Sequence, residues 1–168
     1  MVVIDSIIVF DLCLKRYIKK SVPVWLKNAM AIITHMGDGP LWAIIYSILF
    51  LIHSQGTNKL ALQLVEGEGI GLLTLIPLRY LIKRERPAVT YTYNLLKWNN
   101  YSFPSLHSLR AFFLAVTFGS ANRVVLTLCL MIAFIIGTSR VLLLKHFFTD
   151  VAVGAIIGIT IGLYLLEL

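Results

Sequence analysis

Long apolar stretches separated by short polar breaks dominate the pattern of this chain. About 20 consecutive apolar residues span the hydrocarbon core of a bilayer, so each long stretch predicts a membrane-spanning helix. The stretches that approach this length are 40–54, 60–82, 105–120, 123–143 and 149–168. The pattern therefore predicts an all-α fold, a polytopic transmembrane helical bundle.

The first 36 residues mix charged with apolar positions and predict amphipathic segments. One helical stripe within residues 2–20 is apolar, which is typical of an interfacial helix, and consists of Val3, Ile7, Phe10, Leu14 and Ile18. Residues 24–36 predict either a second amphipathic segment or a short span, so we expect five to six spans in all. The domain is single, residues 1–168, with amphipathic segments at 1–36 and a core bundle at 37–168.

Composition supports a membrane protein, because 58% of the residues are hydrophobic, 14% are charged and the mean hydropathy is +0.85. The net charge of +7 comes without a nucleic-acid recognition motif, so the expected partners are the lipid bilayer and an anionic lipid. Cys13 and Cys129 stand apart, and no Cys/His spacing indicates a disulfide or a metal site. The N-terminus lacks the features of a removable signal peptide, and the sequence carries no signal for the oligomeric state.

Counting crossings from one predicted span to the next places most polar residues at one membrane face. The long polar loop at 83–103, the start of the third span and the end of the fourth all emerge there. These regions concentrate cations and histidines, namely Arg79, Lys83, Arg84, Arg86, Ser105, His107, Arg110, Arg140, Lys145 and His146, together with Asp150. Such a cluster indicates an anion site.

Metal-free hydrolysis of a phosphate monoester requires donors for the phosphoryl oxygens, an in-line nucleophile and an acid for the leaving group. Arginine suits the first task because its planar fork binds two phosphate oxygens, and Arg79, Arg86 and Arg140 are the candidates. The spacing of Arg79, Lys83 and Arg86 predicts one shared side if their helix continues to Pro87. Taken singly, each cation at a helix end is more simply explained by contact with lipid headgroups.

The third predicted span opens with the features of an anion site. Pro104 is favoured at a first helical position, and free N–H groups, the helix dipole and the Ser105 hydroxyl face the incoming anion. His107 lies one turn inside and is the candidate proton donor. Ordinary helix capping alone would also explain Ser105.

His146 and Asp150 follow the fourth span with four-residue spacing. At that spacing the carboxylate can accept the proton of one imidazole nitrogen, which leaves the other nitrogen as a nucleophile. The same orienting logic operates in catalytic triads. We therefore predict that His146 forms a phosphohistidine and that Asp150 orients it.

Three motifs now stand in order on one face, and together they resemble the type 2 phosphatidic acid phosphatase (PAP2) superfamily, which includes vanadium haloperoxidases and bacterial acid phosphatases. Ser139-Arg140, His146 and Asp150 reproduce the spacing of its third motif. The other two motifs are similar to Pro104-Ser105-Leu106-His107, with leucine for the usual glycine, and to Arg79 followed by Arg86-Pro87, with arginine for the usual lysine. Neither departure removes a catalytic group.

The resemblance implies a bacterial membrane lipid phosphatase that needs no metal or other cofactor. It implies that His146 is the nucleophile, Asp150 its orienting partner and His107 the general acid and later base. Phosphate binding falls to Arg79, Arg86, Ser105 and Arg140. Outside the motifs, Lys83 and Arg110 are further candidates for substrate contact. Glu66 and Glu68 are expected to mark the far interface near Lys59.

The expected substrate is a membrane lipid phosphate, because a site at the mouth of a bundle accepts a headgroup without drawing its tails into water. Similar small enzymes act on lipid A 1-phosphate, phosphatidylglycerol phosphate or undecaprenyl pyrophosphate, and we favour lipid A because basic N-terminal segments suit a multiply charged headgroup. The positive-inside rule places the site in the cytoplasm, whereas the resemblance implies the periplasmic face of the inner membrane, which we choose. The rival functions are a non-catalytic lipid-phosphate binder or flippase and a haloperoxidase-like vanadate enzyme.

Overall fold

The computed structural model describes residues 2–52, 54–88 and 97–167, and their regular structure is helical. Two 3-10 turns, Thr34–Gly37 and Lys97–Asn100, accompany the α-helices. In chain order these are α1 (Val2–Ser21), α2 (Val24–Ile33), α3 (Gly39–Ile52), α4 (Gln55–Ile82), α5 (Leu106–Gly119), α6 (Arg123–Leu142) and α7 (Phe148–Leu166).

Three of the predicted spans are confirmed as helices long and apolar enough to cross a membrane. They are α4, α6 and α7, which correspond to the predictions at 60–82, 123–143 and 149–168. The chain is accordingly an integral membrane protein. Helix α4 starts five residues earlier than predicted, because Ser54 and Thr57 form a reciprocal capping box at its first turn.

The other two predicted spans are helices of 14 residues, each about 21 Å long at 1.5 Å per residue. Helix α3 continues from α2 across a break with a bend of 40°. Together the two helices are long and apolar enough to form one membrane span. The break ends at Asp38, which is extended, and Gly39 and Pro40 restart the helix. The described residues thus contain three spans, or four with this bent pair, and His53 lies outside them.

Helix α5 occupies the centre of the bundle, where it packs against α4, α6 and α7. Its contact with α7 is close because Gly154, Gly158 and Gly162 recur every fourth residue along α7. A methyl group on Gly158 would lie 2.2 Å from the carbonyl oxygen of Leu109, so only glycine allows this approach. The stripe of small residues therefore brings the two backbones together and fixes their relative height.

Helix α4 ends earlier than the spacing of its cations predicts. Lys83 adopts a left-handed conformation with φ of 49°, and its N–H donates to Arg79, which closes the helix at Ile82. The prediction that Arg79, Lys83 and Arg86 share one helix face is therefore wrong, because Arg86 lies in the irregular segment beyond the end.

Helix α1 contacts the start of α7 along one edge only. Its buried residues are Asp11 and Ile18, while Ile7 and Phe10 are exposed. The apolar stripe predicted for residues 2–20 is thus divided between the protein and its surroundings, and the side chain of Val3 is not among those described. The docking edge combines the buried carboxylate of Asp11 with apolar contacts, namely the buried Ile18 and the edge-to-face pair of Phe10 and Phe148.

Candidate active site

The end of α4, the start of α5, the end of α6 and the start of α7 meet at one place. Arg79 in α4 donates to the carbonyl of Pro104, just before α5, at 3.0 Å. The backbone N–H of Ser105 donates to the carbonyl of Asp150 in α7 at 3.0 Å, and that of His146 to Arg140 in α6 at 3.2 Å. The predicted residues are therefore held together by direct bonds between helix ends.

His146 lies in the loop between α6 and α7 and is 2% exposed. Its Nδ1 is 2.7 Å from the carbonyl oxygen of Ser102, which only accepts, so Nδ1 carries the proton and Nε2 presents its lone pair. That Nε2 lies 3.4 Å from a guanidinium nitrogen of Arg86. Burial and the charges of Arg86, Arg140 and Arg79 hold the pKa of His146 well below its usual range. The ring is therefore neutral and has a free nitrogen, as a nucleophile requires.

Asp150 does not make the predicted hydrogen bond to His146. Its Oδ2 is 3.8 Å from Nδ1 of His146 and accepts instead from the backbone N–H of Phe147 at 2.8 Å. Asp150 belongs to the first turn of α7 and caps its start, whereas His146 precedes that helix. Arg84 binds the other carboxylate oxygen at 2.7 Å. The carbonyl of Ser102, not Asp150, accepts the hydrogen bond from His146. Asp150 instead supports the loop that carries the ring.

Arg79 and Arg86 meet over Asn99, although they do not share a helix. The side-chain oxygen of Asn99 lies 3.4 Å from a guanidinium nitrogen of each arginine. Arg79 is 1% exposed and also stacks on Trp98, with its guanidinium carbon 5.2 Å from the ring centre. Arg86 donates further to the carbonyls of Asn99 and Lys145. The 3-10 turn at 97–100 thus holds both cations beside His146.

Arg140 lies in the last turn of α6, and its guanidinium has one nitrogen that is hydrogen-bonded and another that is not. Its Nη1 donates to the hydroxyl of Thr34 at 2.7 Å. Its Nε is buried and, among the described residues, finds no hydrogen-bond partner. A buried N–H without a partner is costly, and an oxygen of a bound phosphate would satisfy it. This orphaned donor is the clearest indication that an anion belongs at the site.

Ser105 is the N-cap of α5 and His107 is the second residue of the helix, so the predictions that Pro104 takes the first helical position and that His107 lies one turn inside are wrong. The Ser105 side chain caps the helix by accepting from the N–H of Ser108, and it is fully buried. His107 places Nε2 2.8 Å from Oδ1 of Asp38, at the break between α2 and α3. Arg140 and His146 lie near the ring, and Arg140 is close enough for its charge to act on it. The second imidazole therefore lies beside the phosphate-binding candidates.

Comparisons with known proteins agree with this arrangement. The model of the family described as the PAP2 superfamily matches residues 60–168, from the first turns of α4 to the C-terminus. The chain belongs to the PAP2 superfamily. The match includes all three motifs of the site, and α1, α2 and α3 precede it.

Two solved structures share the fold of this chain. The first transmembrane PAP2-type phosphatidylglycerolphosphate phosphatase from Bacillus subtilis superposes with a TM-score of 0.81 at 23% identity, over 96% of this chain and 85% of that one. Aquifex aeolicus LpxE superposes with a TM-score of 0.71 at 25% identity, over 94% of each chain. Both likenesses extend well beyond the range of the family match, into the N-terminal helices.

The two further cations considered for substrate contact have other surroundings in this PAP2 protein. Arg110 directs Nε and Nη2 to Glu68 and Nη1 to the carbonyl of Gly37, so its guanidinium is already satisfied. The expectation that Glu68 marks the far interface is wrong, because this carboxylate binds Arg110 within the bundle; Glu66 is exposed. Lys83 is exposed at the end of α4 and shares no face with Arg79 and Arg86.

Thr34, Asp38 and Asp11 were missed from the sequence, and Arg84 was predicted only as a member of the cationic cluster. Asp38 and Thr34 touch His107 and Arg140 through a tertiary contact between the α2–α3 break and the site, which no local spacing reveals. Arg84 joins Asp150 to the buried Asp11 of α1 at 2.7 Å on each side. One signal was present, because a charged residue within an apolar helix, as at Asp11, needs a partner.

Proposed function

We propose that this PAP2 protein is an integral-membrane lipid phosphatase that passes the phosphoryl group through a phosphohistidine on His146. The observation that supports it best is the environment of that ring, whose Nε2 is free of a proton and lies 3.4 Å from Arg86. A neutral imidazole beside a cation is suited to attack a phosphorus atom whose oxygens the cation holds.

In the first step Nε2 of His146 attacks phosphorus, and the bond from phosphorus to the lipid oxygen breaks. His107 gives its proton to that oxygen, so the lipid leaves as an alcohol and His107 becomes neutral. Arg79, Arg86 and Arg140 bind the phosphoryl oxygens, and the first turn of α5 at Ser105 adds backbone donors. Asp150 and Ser102 keep the His146 loop and ring in place.

In the second step a water molecule attacks the phosphohistidine, and the phosphorus–nitrogen bond breaks. His107 takes a proton from this water and returns to its starting state, while His146 is released with its lone pair on Nε2. Three guanidinium groups supply the positive charge that both steps require, so the mechanism assigns no task to a metal or another cofactor.

We infer that the substrate is a membrane lipid phosphate, because the site lies where four helix ends open at one end of the bundle. Lipid A 1-phosphate is the substrate that we favour, since the basic positions of α1 adjoin the site through Asp11 and suit a multiply charged headgroup. Phosphatidylglycerol phosphate is the second candidate, on the description of the Bacillus subtilis neighbour. Undecaprenyl pyrophosphate is the third, and its hydrolysis would make the enzyme a pyrophosphatase.

We further propose five crossings, with α2 and α3 as one bent span and α5 as a short span shielded by its neighbours. This count places the ends of α4 and α6 and the starts of α5 and α7 at one face, as their shared contacts require. Helix α1 then lies in the interface beside the site, with exposed apolar residues such as Ile7 and Phe10 directed to lipid.

The face that we propose for the site is the periplasmic side of the bacterial inner membrane. Glu85 is exposed beside the site, so a cysteine placed there reports its side. In a variant with Cys13 and Cys129 changed to serine, Glu85→Cys should react with an impermeant maleimide in intact spheroplasts. Reaction only with a permeant reagent would put the site in the cytoplasm.

Phosphate release tests the activity directly. The purified protein is supplied with short-chain forms of the candidate lipids, side by side and with EDTA present, and is compared with His146→Ala. We expect release by the wild type with a clear preference for one lipid, and none by the variant. Equal release by both proteins would remove the proposed function, and binding without release would favour a non-catalytic binder or flippase.

A further inference from the structure

The break between α2 and α3, residues 34–38, forms a wall of the site that precedes the range of the family match. It is fixed from three sides. Arg140 donates to Thr34, Arg110 donates to the carbonyl of Gly37, and the indole of Trp42 donates to the carbonyl of Met36. These bonds hold Thr34, Met36 and Gly37, which shortly precede Asp38.

Gly37 lets the wall approach the second imidazole. A methyl group at this position would lie 2.9 Å from a ring carbon of His107 and 3.2 Å from Ile136. The ring therefore lies against the backbone of the break, and the carboxylate of Asp38 follows at once in the chain. Its Oδ1 is 2.8 Å from Nε2 of His107, and its Oδ2 is 2.6 Å from Nδ1 of the exposed His35.

We propose that Asp38 is a positioning residue for the general acid, which holds the His107 ring and stabilises its protonated form. This inference rests on the proposed phosphatase function. A carboxylate accepts only, so Nε2 of His107 carries a proton toward Asp38 and Nδ1 is the atom that protonates the leaving oxygen. The arrangement is that of the aspartate in a catalytic triad, applied here to the acid rather than the nucleophile.

The charges around His107 explain why such a partner is needed. Arg140 places positive charge near a ring that must itself carry charge to act as the proton donor. Arg110, one turn further along α5, is neutralised by Glu68, so it adds little net charge. Asp38 is the carboxylate that contacts the ring in the part of the chain that the structure describes, and its negative charge offsets the cations. His35 binds the outer oxygen and orients the carboxylate.

The dependence of the reaction rate on the leaving group distinguishes this role from general support of the fold. A lipid alkoxide leaves only with a proton, whereas the nitrophenolate of p-nitrophenyl phosphate leaves without one. Both substrates share the hydrolysis of the phosphohistidine, in which His107 acts as base, so the comparison uses kcat/KM, which reports the first step alone. Asp38→Asn should lower kcat/KM for a short-chain lipid phosphate by about tenfold to a hundredfold, as for a weakened general acid. The kcat/KM for p-nitrophenyl phosphate should change little, and His107→Ala should show the same selectivity to a larger degree.

Two controls accompany the measurement. Asp5→Asn makes the same change at an exposed position of α1 and should match the wild type on both substrates. In a double-mutant cycle, adding Asp38→Asn to His107→Ala should cost little further activity toward the lipid phosphate, because the two residues act as a unit. Asp38→Glu, which restores a carboxylate at a partly exposed position, should recover part of the lost kcat/KM.

Equal losses of kcat/KM on both substrates by folded Asp38→Asn protein, or additive losses in the cycle, would overturn the positioning role. Faster turnover or tighter vanadate binding by Asp38→Asn would also overturn it, since the carboxylate would then be a competitor for the phosphate site. A wild-type protein that releases no phosphate from either substrate would instead defeat the proposed function. The failures of the two proposals are thus distinguishable.

Discussion

At the scale of single residues, the chemistry of the site follows from the burial of side chains next to positively charged groups. His146 is enclosed, and burial and Arg86 both favour its neutral form. Burial also lowers the pKa of Arg86, partly offset by Asp150, and that of Lys145. An arginine with a lowered pKa still remains charged at neutral pH. The proposed nucleophile is thus neutral, while the arginines proposed to bind phosphate keep their charge.

The pH profile of the enzyme should reflect the lowered pKa of His146. The ring then stays unprotonated below its ordinary value of about 6.5, so kcat/KM should hold through that pH and fall only in more acidic solution. Arg86→Gln removes a positive charge that lowers the pKa of His146, so the acid limb should move to higher pH as overall activity falls. Arg16→Gln, on the exposed side of α1, should leave the limb in place. An unchanged limb in Arg86→Gln would contradict the electrostatic account.

Arg140 should bind phosphate through the nitrogen that has no partner. Lysine keeps the charge but cannot replace both Nε and Nη1, so Arg140→Lys should weaken vanadate inhibition by roughly tenfold to a hundredfold, or about 2 kcal/mol. Arg123→Lys, at the exposed opposite end of the same helix, is the matched control. Equal inhibition constants for the two variants would mean that Arg140 does not contact the anion.

The packing of the helices, more than any single hydrogen bond, determines where the site residues lie. The glycines of α7 bring its backbone against α5, and this contact sets Ser105 and His107 at the same level as Asp150. Helix α1 is attached differently, because Asp11 accepts from Arg84 and from Thr149 at the start of α7. Arg84 also binds Asp150, so α1 reaches the site through one buried ionic network.

Gly158→Ala should disturb the site without touching it. The added methyl group meets the carbonyl of Leu109 at 2.2 Å, so α5 and α7 must separate, which we expect to cost about 1–3 kcal/mol of stability and much of kcat. Gly69→Ala in α4 is the matched control, since nothing lies within 4 Å and alanine favours a helix. Equal unfolding midpoints and activities for both variants, measured in detergent, would rule out close packing as the cause.

Asp11→Asn tests the network that joins α1 to the site. A buried carboxylate with charged and hydroxyl donors should contribute about 1–3 kcal/mol, so the variant should unfold more easily and turn over lipid more slowly. Asp5→Asn, on the exposed part of the same helix, should behave as the wild type. If the two variants have equal unfolding midpoints, α1 is not held by this carboxylate.

Most of this arrangement could be predicted for a specific physical reason. Helices that cross a membrane must place their ends at its faces, so the motif residues at helix ends converge without knowledge of side-chain geometry. That reasoning brought together Arg79, Ser105, Arg140 and His146. It failed where the outcome depends on one dihedral angle, as at Lys83, or on tertiary contact, as at Asp38. Asp150 caps its own helix rather than binding His146, because the first-turn N–H competes for the carboxylate.

The charges of the whole molecule suit the proposed chemistry on a lipid phosphate. The chain has a net charge of +7, and exposed apolar side chains cover much of the bundle. Four helix ends and one helix break bring the proposed groups together. Every step in the proposed mechanism depends on His146 carrying the phosphoryl group from lipid to water.

Trapping the covalent intermediate tests that claim most directly. A labelled lipid phosphate is mixed with the protein, turnover is quenched in alkali, in which phosphohistidine survives, and the modified peptide is identified by mass spectrometry. A phosphoryl group on His146 that is absent from His146→Ala is the predicted result. With p-nitrophenyl phosphate, whose leaving group needs no proton, the phosphoryl group should increase when His107→Ala slows hydrolysis. A phosphoryl group on another residue, or turnover that transfers phosphate directly to water with no labelled protein, would contradict it.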